Sequence, residues 1–348
     1  EVEIPEEEIV DAAEAVTDTS GETEVQLDED GGATINFDPT ATALEGGEDH
    51  DSNLAEYLDN KVLDPLASEL MDKYTSYKET RGDWEESYRE GLSLLGFKYV
   101  NRTEPFKGAS SVTHPVLAEA VTQFQAQAYK ELLPAEGPVR TQILGAVDVA
   151  KEEQSKRVKD FMNYQIMDQM KEYEPEFDQM LFYLPLSGST FKKVYYDDLL
   201  GRAVSKFIPA EDMIVPYSAT SLEDAEAIIH MVKMSENDLR KQMYSGFYKE
   251  VELGEAQLKE NKLKEKELEL EGIRANTSED MYTVLEMHVN LDIEGYEDMD
   301  EDGEPTGIKL PYIVTINEST TDILSIRRNY DEQDPLKKKK DYFVHFKF

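Results

Sequence analysis

An α+β protein, helical in its first half and stranded in its second, is what the amino-acid sequence implies. Apolar residues recur every three or four positions from residue 54 to about residue 187, and alternate with polar residues in several short runs after residue 190. Gly, Pro, Asp and Ser punctuate the junctions, so short antiparallel strands should follow the helices.

The first 52 residues mix acidic runs with Gly and Thr and hold few apolar anchors, which predicts a largely disordered arm. Residues 53–234 read as an α+β domain. Asp64 is placed to cap a helix with Pro65 in its first turn and Leu66, Leu70, Tyr74 and Tyr77 on one face, ending near Gly82. Asp83 opens the next, with Glu86 completing a capping box, Trp84, Tyr88, Leu92 and Leu95 as the stripe, and Gly96 as the stop. These two helices should form a hairpin.

A third helix follows Thr113, with Pro115 in its first turn and Leu117, Val121, Phe124, Ala128 and Leu132 in phase. Leu133-Pro134 forces its end. A fourth spans residues 150–172, where Val158, Phe161, Met162, Ile166 and Met170 give an apolar face. A short fifth carries Phe177, Leu181 and Leu184 before the turn Ser187-Gly188-Ser189.

Residues 191–197 and 202–208 read as strands joined by a turn ending at Gly201, and 227–234 as another. Ser235 with Asp238 starts a helix bearing Leu239, Met243 and Phe247, which the charge pattern allows to run on through residues 252–271. Residues 235–272 are therefore a candidate long helix with a charged linker. Residues 273–330 are β-rich: Met281, Leu285, Met287, Val289, Leu291 and Ile293 alternate with Glu286, His288 and Asn290, the pattern of a half-buried strand. Ile308, Leu310, Tyr312, Val314 and Ile316 repeat the pattern, and residues 323–327 add a third strand. Residues 331–348 hold a basic loop and an aromatic strand-like run. Glu1 in place of an initiating Met, and the run to Phe348 without a stop signal, read as a chain that continues past both ends.

Catalysis has no visible address in this pattern. The chain has no Cys, which removes disulfides, thiolate zinc sites and thiol nucleophiles together. Its five histidines, His50, His114, His230, His288 and His345, lack the close spacing of a metal-binding helix and read as structural. Asp298, Asp300 and Asp302 before Gly303 imitate the opening of a calcium loop and are the weak metal candidates. The loop's closing position is Lys309 and its eighth is Pro305, so an acidic hairpin loop is the expectation, with no cofactor. A metal-dependent hydrolase built on these carboxylates is the weakest functional alternative, because no general acid or base is placed beside them.

Charge narrows the function further. Formal net charge is −39, and twenty of the acidic residues fall in the first sixty positions, which contain no Lys or Arg. Broad phosphate-gripping surfaces are disfavoured, whereas a surface that lets DNA slide past without binding is allowed. Lys337, Lys338, Lys339 and Lys340 form the single basic run, a solvated loop by default and a candidate DNA or partner contact otherwise. No apolar run approaches the ~20 residues of a membrane span and no signal peptide is visible, so no membrane partner is expected.

Seven stretches carry a resemblance. They are Asp83-Trp-Glu-Glu-Ser-Tyr88, Gly91-Leu-Ser-Leu-Leu-Gly96, Pro105-Phe-Lys-Gly-Ala-Ser-Ser-Val-Thr-His-Pro115 and Leu117-Ala-Glu-Ala-Val-Thr-Gln-Phe-Gln-Ala-Gln-Ala-Tyr-Lys-Glu-Leu-Leu-Pro134. Phe177-Asp-Gln-Met-Leu-Phe-Tyr-Leu-Pro-Leu-Ser-Gly188, Phe191-Lys-Lys-Val-Tyr-Tyr196 and Phe207-Ile-Pro-Ala-Glu-Asp-Met-Ile-Val-Pro216 complete the set. Together they resemble the portal proteins of tailed bacteriophages, marine-phage types included, over residues 83–243 and more weakly to the end.

The resemblance implies a portal-protein fold and a non-enzymatic, dodecameric closed ring at the capsid vertex of the virion, assembled in the bacterial host cytoplasm. It also implies partners: the terminase large subunit, neck and tail adaptor proteins, the major capsid and scaffolding proteins, and double-stranded DNA passing non-specifically. Residues 53–234 would form the wing, 235–272 the first stem helix, and 273–330 the clip, with the later stem helix, channel loop and crown beyond Phe348. Trp84, Tyr88, Leu92, Phe106, Phe124, Tyr129 and Phe182 are the fold and subunit-packing candidates. A closed ring needs heterologous interfaces, for which the apolar helix faces are the material. A neck or tail adaptor ring, which would not bind terminase, is the alternative from the same setting.

Overall fold

The structure, a computed structural model, describes residues 24–27, 33–36, 50–95, 106, 114–197, 200–254, 281–299 and 304–348. Contacts divide the chain into two units, Glu1–Ser52 and Asn53–Phe348. In the first, β1 (Glu24–Leu27) pairs antiparallel with β2 (Ala33–Asn36), where composition predicts little regular structure.

The second unit is α+β. Five helices come first: α1 (Asn60–Thr80), α2 (Gly82–Leu95), α3 (Val116–Leu132), α4 (Val149–Tyr164) and α5 (Tyr173–Ser187). Then follow β3 (Ser189–Asp197), β4 (Arg202–Pro209), β5 (Met213–Ile214), β6 (Ala227–Ser235) and α6 (Glu236–Tyr244). β7 (Met281–Leu291), β8 (Leu310–Asn317), β9 (Ile323–Arg328) and β10 (Phe343–Lys347) complete the described elements. The strands form two antiparallel sheets, one ordered β5-β6-β7-β8-β9 and the other β10-β3-β4.

Strand alternation decides which residues meet. Leu285, Met287, Val289 and Leu291 of β7 face α1, whose Leu63, Ala67, Leu70 and Tyr74 recur at helical spacing and are buried against the five-stranded sheet. Full burial of each such side chain contributes about 1.5–3 kcal/mol. The opposite face of β7 is covered as well. At one end Tyr282 and Val284 pack with Leu324 under Leu239 of α6, and at the other the three-stranded sheet lies over Ile228 through Phe191, Ile208 and Phe343. The outer face of that smaller sheet puts Phe207 and Phe346 beneath Phe177, Met180 and Leu181 of α5 and Phe124 of α3.

Several boundaries differ from the sequence reading. α1 begins at Asn60, a turn before Asp64, and contains Pro65, whose missing N–H removes one early helix bond. The helix expected over 150–172 ends at Tyr164, passes through a π turn (Gln165–Gln169), and leaves helical conformation at Met170. None of α4 is buried, so its apolar face joins no core among the described residues. α5 ends where Gly188 adopts a left-handed conformation (φ 75°) and its N–H reaches Leu184 O, a cap that glycine makes without steric cost.

α6 stops at Tyr244, before Phe247, and the chain turns back so that Lys249 N donates to Leu324 O at 2.7 Å. The expected continuation through residues 255–271 lies outside the described residues. β6 pairs directly with β7, so one sheet draws strands from both sides of the 235–272 segment that the sequence sets apart. β7 is not half-buried: His288 is buried, and of Glu286, His288 and Asn290 only Asn290 is exposed.

Candidate functional site

The densest polar chemistry lies between the two sheets. The pairing register sets His230 of β6 opposite Glu286 of β7, while Lys193 of β3 reaches across from the smaller sheet. Lys193 Nζ donates to both Glu286 carboxylate oxygens at 2.6 Å, and His288 Nε2 lies 2.9 Å from Oε1. Phe343 of β10 closes the cluster, its ring 4.9 Å from that of His288 and 5.9 Å from that of His230.

Burial and charge pull these groups in opposite directions. Burial pushes the Glu286 carboxyl up, but Lys193, His288 and His230 outweigh it and hold the group well below its ordinary value of 4.5. For His230 burial is the largest influence and prevails over the attraction of Glu286, taking the imidazole from 6.5 down to about 4. At neutral pH Glu286 is therefore a carboxylate and His230 uncharged. The arrangement is an ion-pair clamp between sheets.

Successive strand residues point to opposite faces, so Lys192 enters a different environment from Lys193. Its ammonium sits 4.1 Å from the Tyr173 ring centre and 5.3 Å from that of Phe177, with Ser205 Oγ at 3.4 Å. Burial pushes it down to about 8, against the attraction of Glu176 and Glu172. Glu176, whose carboxylate accepts from Phe207 N, is pushed up by the same burial. Both lysines belong to one Lys-Lys pair in β3, and a charged pair inside an otherwise apolar and aromatic strand is the signal that marks them in the sequence. Alternation alone assigns Glu286 and His288 to the solvent side of β7, but Glu286 is half-buried there and His288 buried. His230 and His288 are not isolated histidines: the sheet brings both to one carboxylate.

The basic run is largely engaged in tying loops together. Lys337 Nζ pairs with Asp298, which also accepts from Thr306 Oγ1 at 2.8 Å. Lys339 Nζ donates to the carbonyls of Leu222 and Glu223 at 3.0 and 3.1 Å, and Lys340 exchanges two bonds with Asn329 through its backbone. The side chains of Lys338 and Lys340 remain exposed. Asp298 is thus committed to Lys337 and Thr306, while Asp300 and Asp302 lie outside the described residues. Among the described residues no group of three or more His, Asp or Glu side chains is placed to hold a metal ion, and no helix is long and apolar enough to cross a membrane.

The aromatic packing candidates divide into two groups. Trp84 stacks on Tyr88 (ring centres 5.3 Å apart) and donates Nε1–H to Ser187 O at 3.2 Å, joining α2 to the end of α5, with Tyr88 and Leu92 buried beside Leu186. Phe124 meets Phe348 edge to face, Tyr129 O–H donates to Glu174 Oε1 at 2.5 Å, and half-buried Phe182 contacts Tyr183. Phe106 is exposed. Arg81 joins the α1–α2 hairpin to the segment after β4, donating to the carbonyls of Ala210, Glu211 and Met213. No protein-family model matches this chain, and no curated protein matches it at a significant level.

Proposed function

We propose that this chain is the ring subunit of a tailed-bacteriophage portal, a non-enzymatic conduit for DNA packaging and ejection at one capsid vertex. The observation that carries the reading is the family-like sequence over residues 83–243. The described parts of those stretches pack on one another: α2 joins α5 through Trp84, α5 joins β4 through Glu176, and α3 joins α5 through Phe124. One contiguous framework is what a stiff ring subunit requires, and it supports the reading.

In this role the ring docks the terminase large subunit, the neck and tail adaptors, and the capsid and scaffolding proteins, and nucleates procapsid assembly. Net charge supports it too, because DNA slides through a bore whose walls release few counterions. Native mass spectrometry with negative-stain imaging of the full-length protein tests the proposal. Closed rings with a central hole are expected from heterologous closure, with about twelve subunits as the resemblance implies; failure to form rings under any condition, including with scaffolding protein present, overturns the proposal.

A further inference from the structure

The two sheets meet as the leaves of a hinge. α1 packs on the five-stranded sheet, α3 and α5 pack on the three-stranded one, and α2 joins α5. Among the described residues the chain crosses between these two bodies at residues 80–82, 209–213 and 329–343. The first two crossings lie side by side, tied by Arg81, which donates to the carbonyls of Ala210, Glu211 and Met213. Lys339 and Lys340 fasten the third to Leu222, Glu223 and Asn329, so it leaves the larger sheet's side only past residue 340. Few joints of this kind, two of them adjacent, are what a closing domain turns on.

Between the leaves the contact is polar and incompletely filled. A cavity of about 80 Å³ opens there, with Ile228, His288, Asn329 and Phe343 among its walls. Beside it, His230 Nδ1 is buried and has no hydrogen-bond partner among the described residues. A neutral imidazole carries N–H on one nitrogen only, whereas an imidazolium carries it on both, and here one would be buried with no acceptor. The charges facing His230 are Glu286 and His288 from β7, Lys193 from β3 and Lys206 from β4. Tyr248, from the segment after α6, adjoins Glu286 and Arg327. β5 and β10 present Met213 and Phe343, which carry no charge. The one carboxylate among these groups is already engaged by Lys193 and His288. We infer that uptake of a proton by His230 swings the three-stranded sheet, with α2, α3 and α5, away from the five-stranded sheet as an acid-operated hinge. Opening brings water to the imidazole and parts it from Lys193 and Lys206. Burial takes His230 down to about 4 when the leaves are closed, and a solvated imidazole titrates near 6.5, so acid favours the open form between those limits. The hinge is independent of the ring reading.

A chain without Cys allows one labelled pair to report the motion. Tyr196→Cys on β3 and Ser245→Cys after α6, both at exposed positions, each receive a nitroxide. The labelled full chain is diluted into excess unlabelled chain, so that pulsed electron spin resonance reads distances within one molecule. A single distance is expected at about pH 7.5, joined on acidification by a second whose population relative to the first rises up to about tenfold per pH unit below about 6.5. The change should reverse on neutralisation and leave the far-ultraviolet circular dichroism intact. In the His230→Gln background the second distance should stay absent down to about pH 4.5. His230→Leu, equally unable to take a proton, replaces that variant should it fail to show the native distance at neutral pH. One distance throughout, a second distance that persists without His230, or one that arrives only with loss of circular dichroism overturns the inference.

Discussion

Lys193 and Glu286 hold the two sheets together through a pair of charges largely removed from water, both side chains 18% exposed. Such a pair adds little over an apolar replacement, yet removing one partner strands the other. Lys193→Met and Glu286→Gln should each lower unfolding free energy by about 3 kcal/mol, while Lys193→Met/Glu286→Leu should recover most of that loss, as read by urea denaturation. Acid acts on the same cluster. His230, pushed down to about 4, resists the proton that the unfolded chain accepts near 6.5, so stability falls as pH drops from about 6.5 towards 4. Glu286 adds a second loss below its ordinary 4.5, because its folded value lies lower still. His230→Gln should flatten the upper part of that profile and leave the lower part, which urea midpoints measured from about pH 3 to about pH 7 will show.

At the scale of elements, the β9 edge of the larger sheet is closed by the Asn53 side chain together with the Lys249 backbone N–H. Asn53 Nδ2 donates to Leu324 O at 3.1 Å and its Oδ1 accepts from Ile326 N at 3.0 Å, so an amide stands where the next strand's backbone would be. Asn53→Ala leaves the Ile326 N–H without that acceptor; a loss of about 2 kcal/mol and faster hydrogen exchange at Ile326 are expected. α1 supplies the other cover, and Leu70→Ala in its buried stripe should cost about 2–5 kcal/mol by chemical denaturation. The sequence marks these helices well, because their stripes repeat every three to four residues. It marks α4 equally well and misleads there: an apolar face reports that a surface seeks cover, and whether the same chain supplies it depends on where the neighbouring elements go.

For the whole molecule, the buried clusters among the described residues lie in the second unit, and Asn53, which helps fasten the β9 edge, is the first residue of that unit. Removing residues 1–52 while retaining Asn53 should leave the melting temperature within about 2 °C, since the segment has too little apolar content to join a core; differential scanning calorimetry will detect a larger drop. Taken alone, the sequence determined the α+β class, the five helical stripes of the first half, the alternation of β7, β8 and β9, and the acidity that disfavours a DNA-gripping surface. These are local or additive properties, written in periods of two or three to four residues and in a sum of charges. Only the tertiary structure decided that β6 pairs with β7 across the 235–272 segment, that both faces of β7 are covered, that α4 is left bare, and that Lys193 meets Glu286 and two histidines. Those outcomes join residues tens of positions apart in the chain, where pairing is chosen by competition among all surfaces seeking cover, and no local period records which one wins.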